Sequence, residues 1–141
     1  MKALFIHADY LSYKVKEKTP SAEEIEGSRK NGSMDEPLIA LISIESGDER
    51  SEAEKPAETT VETISDVSSK IGVKNIALFP FAHLSEDLAS PDFAVSVLKE
   101  TESKLKEEGF NTLRVPFAWY KEFELKSKGH PLSVLSRTLA P

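Results

Sequence analysis

Three short runs hold the residues best suited to chemistry. The first is Pro80-Phe81-Ala82-His83, directly after an apolar run at 75–79. In α/β sheets, ligands gather at the carboxyl ends of strands. Pro80 shapes the turn, Ala82 leaves the backbone open to close approach, and His83 can donate a hydrogen bond or shuttle a proton near neutral pH. A capping role for His83 fits equally well, because Ser85 can open a short helix. The second run is Pro116-Phe117-Ala118-Trp119-Tyr120-Lys121. If extended, it points Tyr120 and Lys121 to opposite faces. A lysine in an aromatic pocket can hold an anion or steady a developing oxyanion. A surface lysine beside core aromatics is the default reading of the same run. The third run, Lys128-Gly129-His130-Pro131-Leu132, is a turn in which His130 is either functional or a brace.

Other polar pairs are weaker. His7 and Asp9 follow the first apolar run, but two ligands do not make a metal site, and a hydrogen-bonded His7 at a strand end is the better reading. Ser136-Arg137 can bind phosphate or cap a helix end. There is no Gly-rich phosphate loop, no zinc-ligand spacing and no Gly-x-Ser-x-Gly elbow. The chain has no cysteine, which excludes disulfides, thiolate nucleophiles and cysteine metal sites. No metal and no cofactor is implied.

The elements that must position these residues fit one domain of 141 residues, with 39% hydrophobic and 30% charged side chains. No apolar run approaches a membrane span, and the first residues are too short for a signal-peptide core, so a cytoplasmic location is expected. High charge and the absence of glutamine lean toward a thermophilic source. The net charge of −6 argues against a nucleic-acid partner until its distribution is considered. Residues 34–73 carry ten acids and three bases, whereas residues 110–141 carry five bases and two acids among five aromatics. Interleaved aromatic and basic residues can stack on a base and pair with a phosphate. A strand with a solvated charged face explains the same pattern.

Residues 2–7 predict a buried strand, with 10–15 pairing back on it as a hairpin. Residues 19–33 read as an exposed connection and 37–44 as another buried strand. A helix opened by Pro56 carries Val61, Ile64, Val67 and Ile71 on one face and ends at Gly72. Residues 75–79 form the next buried strand. A second helix has Ser90 as N-cap, Pro91 at its first position, an apolar stripe of Ala94, Val97, Leu98 and Leu105, and Gly109 at its end. Short strands at 112–115 and 122–126 follow, then a short helix at 131–137. The expected architecture is mixed α/β: a mixed sheet packed with two main helices and a short C-terminal helix.

Taken in order, the segments resemble the N-terminal editing domains of archaeal threonyl-tRNA synthetases. The resemblance rests on Ala3-Leu4-Phe5-Ile6-His7-Ala8-Asp9-Tyr10, on Phe79 to Ser85, on Pro116 to Lys121, and on Lys128 to Leu132 with Leu135-Ser136-Arg137. It implies a D-aminoacyl-tRNA deacylase-like fold, usually homodimeric, formed by residues 1–141 as one editing domain of a longer synthetase or acting in trans. It implies hydrolysis of the ester of L-seryl-tRNA(Thr), with threonyl-tRNA(Thr) spared and the terminal adenosine 2′-hydroxyl assisting. The implied partners are the aminoacylated 3′ end of tRNA(Thr) and the synthetase catalytic domain. By the same resemblance, Lys121, His83 and Tyr120 are the catalytic side chains. The expected substrate-binding residues are Ile44, Pro80, Phe81, Ala82, Phe117 and His130, with Ile44, Phe81 and Ala82 acting through backbone atoms. The chain departs from the family pattern at Val134, where relatives often carry an acid that would orient the lysine or a water, and at Ser127, where cysteine occurs.

Two other readings compete. A true D-aminoacyl-tRNA deacylase would carry Ser-Gln and Gly-Pro motifs, and this chain has neither glutamine nor a Gly-Pro pair. A non-catalytic amino-acid-binding or tRNA-docking module is the rival of another class.

Overall fold

The fold is organised by one long strand. The computed structural model describes all of residues 1–141. Strand β1 runs through Lys2–Lys18 without a break, where the sequence suggested a hairpin. Its first half pairs antiparallel with β3 (Leu38–Ser43) on one edge and β7 (Val134–Thr138) on the other. Its second half pairs with β2 (Asn31–Asp35) and β6 (Trp119–Ser127). Register shifts between Ala8 and Leu11 and between Val15 and Glu17 bend the strand, so one ribbon serves two sets of neighbours. The rest of the sheet is parallel: β3 pairs with β4 (Asn75–Pro80), and β4 with β5 (Asn111–Arg114).

Parallel neighbours need crossovers, and two helices supply them. Helix α1 (Glu54–Ile71) links β3 to β4, and α2 (Pro91–Glu107) links β4 to β5. Gly72 ends α1 at φ 82°, the left-handed conformation that glycine adopts at least cost. Pro91 opens α2 as expected, although Ser90 caps it with no side-chain bond; its own N–H donates to the Glu49 carboxylate instead.

Every residue of β3 is buried, as expected for a strand covered on both faces. Leu38, Ala40 and Ile42 join Ile64, Val67, Val97, Leu98 and Leu105 in the core beneath the helices. Ile39 and Leu41 face the other way, into a second core with Leu11, Ala77, Phe79 and Val115. Phe79 therefore belongs to the layer beneath β6, where its ring meets that of Phe123 at 4.9 Å.

The mixed α/β architecture stands, with one correction. Residues 131–137 do not form a short C-terminal helix. After a turn, Val134–Thr138 pairs with β1 as β7. Pro131 resembled a helix start, but Val134 to Thr138 fill an open edge of β1, and the ladder satisfies their backbone groups.

Candidate functional site

A cavity of about 460 Å³ opens at the carboxyl ends of β3 and β4. Small-molecule sites fall in this size range, and this is where α/β sheets place them. One wall is Ile42, Ser43 and Ile44; another is residues 79–83; the third is residues 117–121 with Phe123. Eight of the nine expected site residues line it: Ile44, Pro80, Phe81, Ala82, His83, Phe117, Tyr120 and Lys121.

Backbone hydrogen bonds fix the first two walls. The Phe81 N–H donates to the Ile42 carbonyl at 2.9 Å, and the Ser43 hydroxyl donates to the Phe81 carbonyl. The Ile44 carbonyl accepts from the Ala89 N–H at 3.0 Å, which folds residues 85–89 along the end of β3. Ser85 ties that segment to Glu45 at 2.6 Å. His83 is exposed within a single turn, Ala82–Leu84, and its ring packs on Phe81 at 5.3 Å.

Tyr120 stands at the rim, 64% exposed. Lys121 goes inward. Its Nζ lies 5.5 Å from the centroid of the Phe79 ring, a cation–π contact. Burial holds the Lys121 ammonium below the usual lysine range; Glu23 offsets part of that without forming an ion pair. A half-buried lysine without a bonded counter-ion, aimed at a cavity, is costly to keep and makes this position a candidate for function. Tyr120 and Lys121 both line the cavity, and a register shift in β1 falls between their pairings, with Tyr120 opposite Glu17 and Lys121 opposite Val15.

His130 is the exception among the expected substrate-binding residues. It lines no part of this cavity. The turn at 128–133 folds onto β1 near its pairing with Leu38, at the opposite end of β3. There the His130 Nε2 lies 2.7 Å from the His7 Nδ1, and the His130 Nδ1 accepts from the Leu132 N–H. In the neutral pair, His130 Nε2–H therefore donates to an unprotonated His7 Nδ1. The Asp9 carboxylate pairs with Lys128 at 2.7 Å and Lys126 at 3.8 Å. No group of three or more His, Cys, Asp or Glu side chains is arranged to hold a metal ion.

The His7–His130 pair yields a stability prediction. Burial first, then His130 and Lys128, push the His7 pKa down, against smaller opposing effects from Glu36 and Asp9. The unfolded chain then binds a proton more readily than the folded one below pH 6.5, so stability falls as pH drops through that value. Thermal unfolding between about pH 7 and pH 5 should show this decline, flattened in His7→Gln. An equal slope in both proteins would contradict it.

Val134 is also away from the cavity. It pairs with Ile6, whereas Lys121 pairs with Val15, so within one chain residue 134 does not approach the lysine. Arg137 on β7 donates to the Ser136 carbonyl.

Sequence reading missed the residues behind the third wall. Glu23, in the connection expected to be exposed, is 9% exposed. Its carboxylate accepts from Arg114 at 2.8 Å, from the Phe117 N–H at 2.9 Å and from Arg29 at 3.4 Å. Its carbonyl accepts from the Trp119 indole at 2.8 Å, and its N–H donates to the Phe117 carbonyl at 3.1 Å. Ala118, between them, holds φ 60°, a left-handed conformation that costs a non-glycine residue about 1–2 kcal/mol. Its carbonyl is gripped by the Thr19 hydroxyl at 2.6 Å and the Thr19 N–H at 3.3 Å. Nothing in the sequence distinguishes Glu23 or Arg114 from other acids and bases of the chain.

A sequence profile described as the Archaea-specific editing domain of threonyl-tRNA synthetase matches residues 1–139. The chain belongs to this family. Threonine--tRNA ligase from Methanocaldococcus jannaschii is 51% identical over 139 residues, covering 99% of this chain and 22% of that protein. Threonine--tRNA ligase from Methanobrevibacter smithii is 48% identical over 139 residues, covering 99% of this chain and 23% of that one. The editing-domain chain thus spans less than a quarter of the length of these relatives. Among solved structures, the c-Myc DNA Unwinding Element Binding Protein superposes with a TM-score of 0.69 at 15% identity, covering 100% of both chains. That likeness shows the fold alone. No helix of the editing domain is long and apolar enough to cross a membrane.

Proposed function

We propose that the domain proofreads for a threonyl-tRNA synthetase by hydrolysing the ester of L-seryl-tRNA(Thr) and sparing threonyl-tRNA(Thr). The observation that carries this reading is Lys121: a half-buried ammonium without a bonded counter-ion, on the wall of a mainly apolar cavity. Membership of a synthetase editing family supports it. Water adds to the ester carbonyl, the bond to the ribose oxygen breaks, and the ribose leaves as its hydroxyl. Lys121 steadies the negative charge that develops on the carbonyl oxygen. The terminal adenosine 2′-hydroxyl assists, so the RNA supplies part of the chemistry. His83 and Tyr120, at the mouth, hold the nucleoside end.

Selectivity follows from the walls. Threonine exceeds serine by one methyl group, worth only roughly 1–3 kcal/mol where a pocket must favour the larger side chain. A second site that excludes the larger one does better. Here the excluding surface is backbone at Ile44, Phe81 and Ala82, pinned at Ile44 and Phe81 by the bonds described above, and backbone cannot turn aside as a side chain would. The domain works in the cytoplasm as a homodimer, with the synthetic domain in the same chain or as a partner.

The test is single-turnover deacylation of both esters. Seryl-tRNA(Thr) should be cleaved about a hundredfold faster than threonyl-tRNA(Thr), since one methyl group can decide by about 10–200-fold. Equal cleavage of the two would remove the proofreading role. Cleavage of neither would leave a binding module.

A further inference from the structure

We propose that Glu23 is a positioning residue of this site, holding residues 117–119 in the one conformation that presents Lys121 to the cavity. This rests on the deacylase reading above. The argument is geometric. Glu23 grips Phe117 from both sides, its carboxylate on the N–H and its own N–H on the carbonyl, and holds Trp119 by the indole. Thr19, four residues earlier, holds the carbonyl of Ala118 in its left-handed conformation. Three consecutive residues of the wall are thus fixed by one short segment from a distant part of the chain. Tyr120 and Lys121 follow directly, so their direction is set by where that grip releases the chain.

A solvated loop would hold such a turn only loosely. Here the clamp is anchored twice more. Arg114 on β5 binds the Glu23 carboxylate at 2.8 and 3.0 Å and is itself held by Glu102 of α2 at 3.0 Å. Arg29 bridges the Glu23 carboxylate and the Arg114 carbonyl. The wall of the cavity is therefore referenced to the helix layer and to β5.

Glu23 has a second effect. Lys121 lies over the Phe79 ring of β4, lines the same cavity as His83 and Tyr120, and feels Glu23 from the connection; Tyr13 of β1 lies within the field of Glu23, Arg29 and Arg114. Of these, Glu23 is the carboxylate that favours the lysine's charged form. It thereby supports both the direction and the charge of Lys121 while touching neither substrate nor lysine.

Glu23→Gln in the whole domain separates these roles from mere stability. For the folded variant we expect kcat on seryl-tRNA(Thr) to fall about ten- to hundredfold with KM little changed, as for a small misplacement of a catalytic group. The Lys121 titration, followed by the 13Cε shift of labelled lysine, should move to lower pH. A folded variant with unchanged kcat, a loss in KM alone, or an unmoved Lys121 titration would overturn the proposal. Where Glu23→Gln does not fold, Thr19→Val decides: it keeps the ion pairs and the backbone bond but removes the hydroxyl grip on Ala118, and undiminished kcat there also overturns the proposal. If wild type cleaves no seryl-tRNA(Thr), the deacylase reading fails on its own, and the Lys121 titration still decides whether Glu23 governs the lysine.

Discussion

A Lys121→Met domain should fold at least as well as the parent and lose about 10²- to 10³-fold in kcat for seryl-tRNA(Thr), with KM nearly unchanged. Methionine keeps the packing on Phe79 and removes only the charge. The two halves of this expectation have one cause. Burial disfavours the Lys121 ammonium in the folded state, so the fold bears a charge it would be more comfortable without. Removing that charge relieves the fold and disables the site, as expected where function is kept at the expense of stability. The pH dependence has a definite sign. If the ammonium is the working form, activity over the spontaneous rate falls as pH rises through the Lys121 pKa, and burial puts that limb below the ordinary 10.5. Deacylation rates and thermal unfolding of the two proteins check both halves. Near-parental kcat in Lys121→Met would end the case for the lysine.

The second large effect falls on stability. Arg114→Ala should cost about 3–5 kcal/mol, the usual penalty for stranding one member of a buried ion pair. Both side chains are nearly sealed, 7% exposed for Arg114 and 5% for Glu23. After the change, Glu23 keeps the Phe117 N–H and the longer Arg29 contacts at 3.4 Å. Against a typical total of about 5–15 kcal/mol, that is a large share. The Glu23 pKa makes the effect depend on pH. Burial pushes it up, but the Phe117 N–H and the Arg114 and Arg29 guanidiniums outweigh burial, and the net value lies below 4.5. Its contribution is therefore full above pH 4.5 and is lost as pH falls through the folded value. Urea unfolding at neutral and acid pH should find the gap between parent and variant narrowing in acid. A gap of under 1 kcal/mol at neutral pH would mean that solvent reaches the pair.

What could be read from the sequence divides along physical lines. Both helices were legible because their signals are local: a stripe at Val61, Ile64 and Val67, a proline at the start of α2, a glycine past the end of α1. The strands β3 and β4 were legible because both their faces are buried. β2 was not, since Asn31–Asp35 is polar and becomes a strand only because β1 offers it an edge. β7 was mistaken for a helix because Pro131 mimics a helix start while its true partner lies far away in sequence. The site divides in the same way. Residues next to strand ends, such as Phe81, Ala82 and Lys121, carried a recognisable neighbourhood. His130 carried one too, but its partner is His7. Glu23 was invisible because its role depends on Arg114 and Phe117, nearly a hundred positions away, with 91 residues separating it from Arg114.

The length of β1 also bears on how the molecule comes into being. Within the domain it is made before its partners: Lys2 pairs with Thr138 and Ala8 with Ser127. Half of its edges must therefore wait, unpaired, until nearly the whole domain has been synthesised. Contacts so distant in sequence slow folding, and an unsatisfied strand edge invites pairing with another chain. During translation the apolar start of β1 is thus a segment in need of shelter, and a chaperone that binds extended apolar chain would find Leu4, Phe5 and Ile6 exposed while β7 is still to be made.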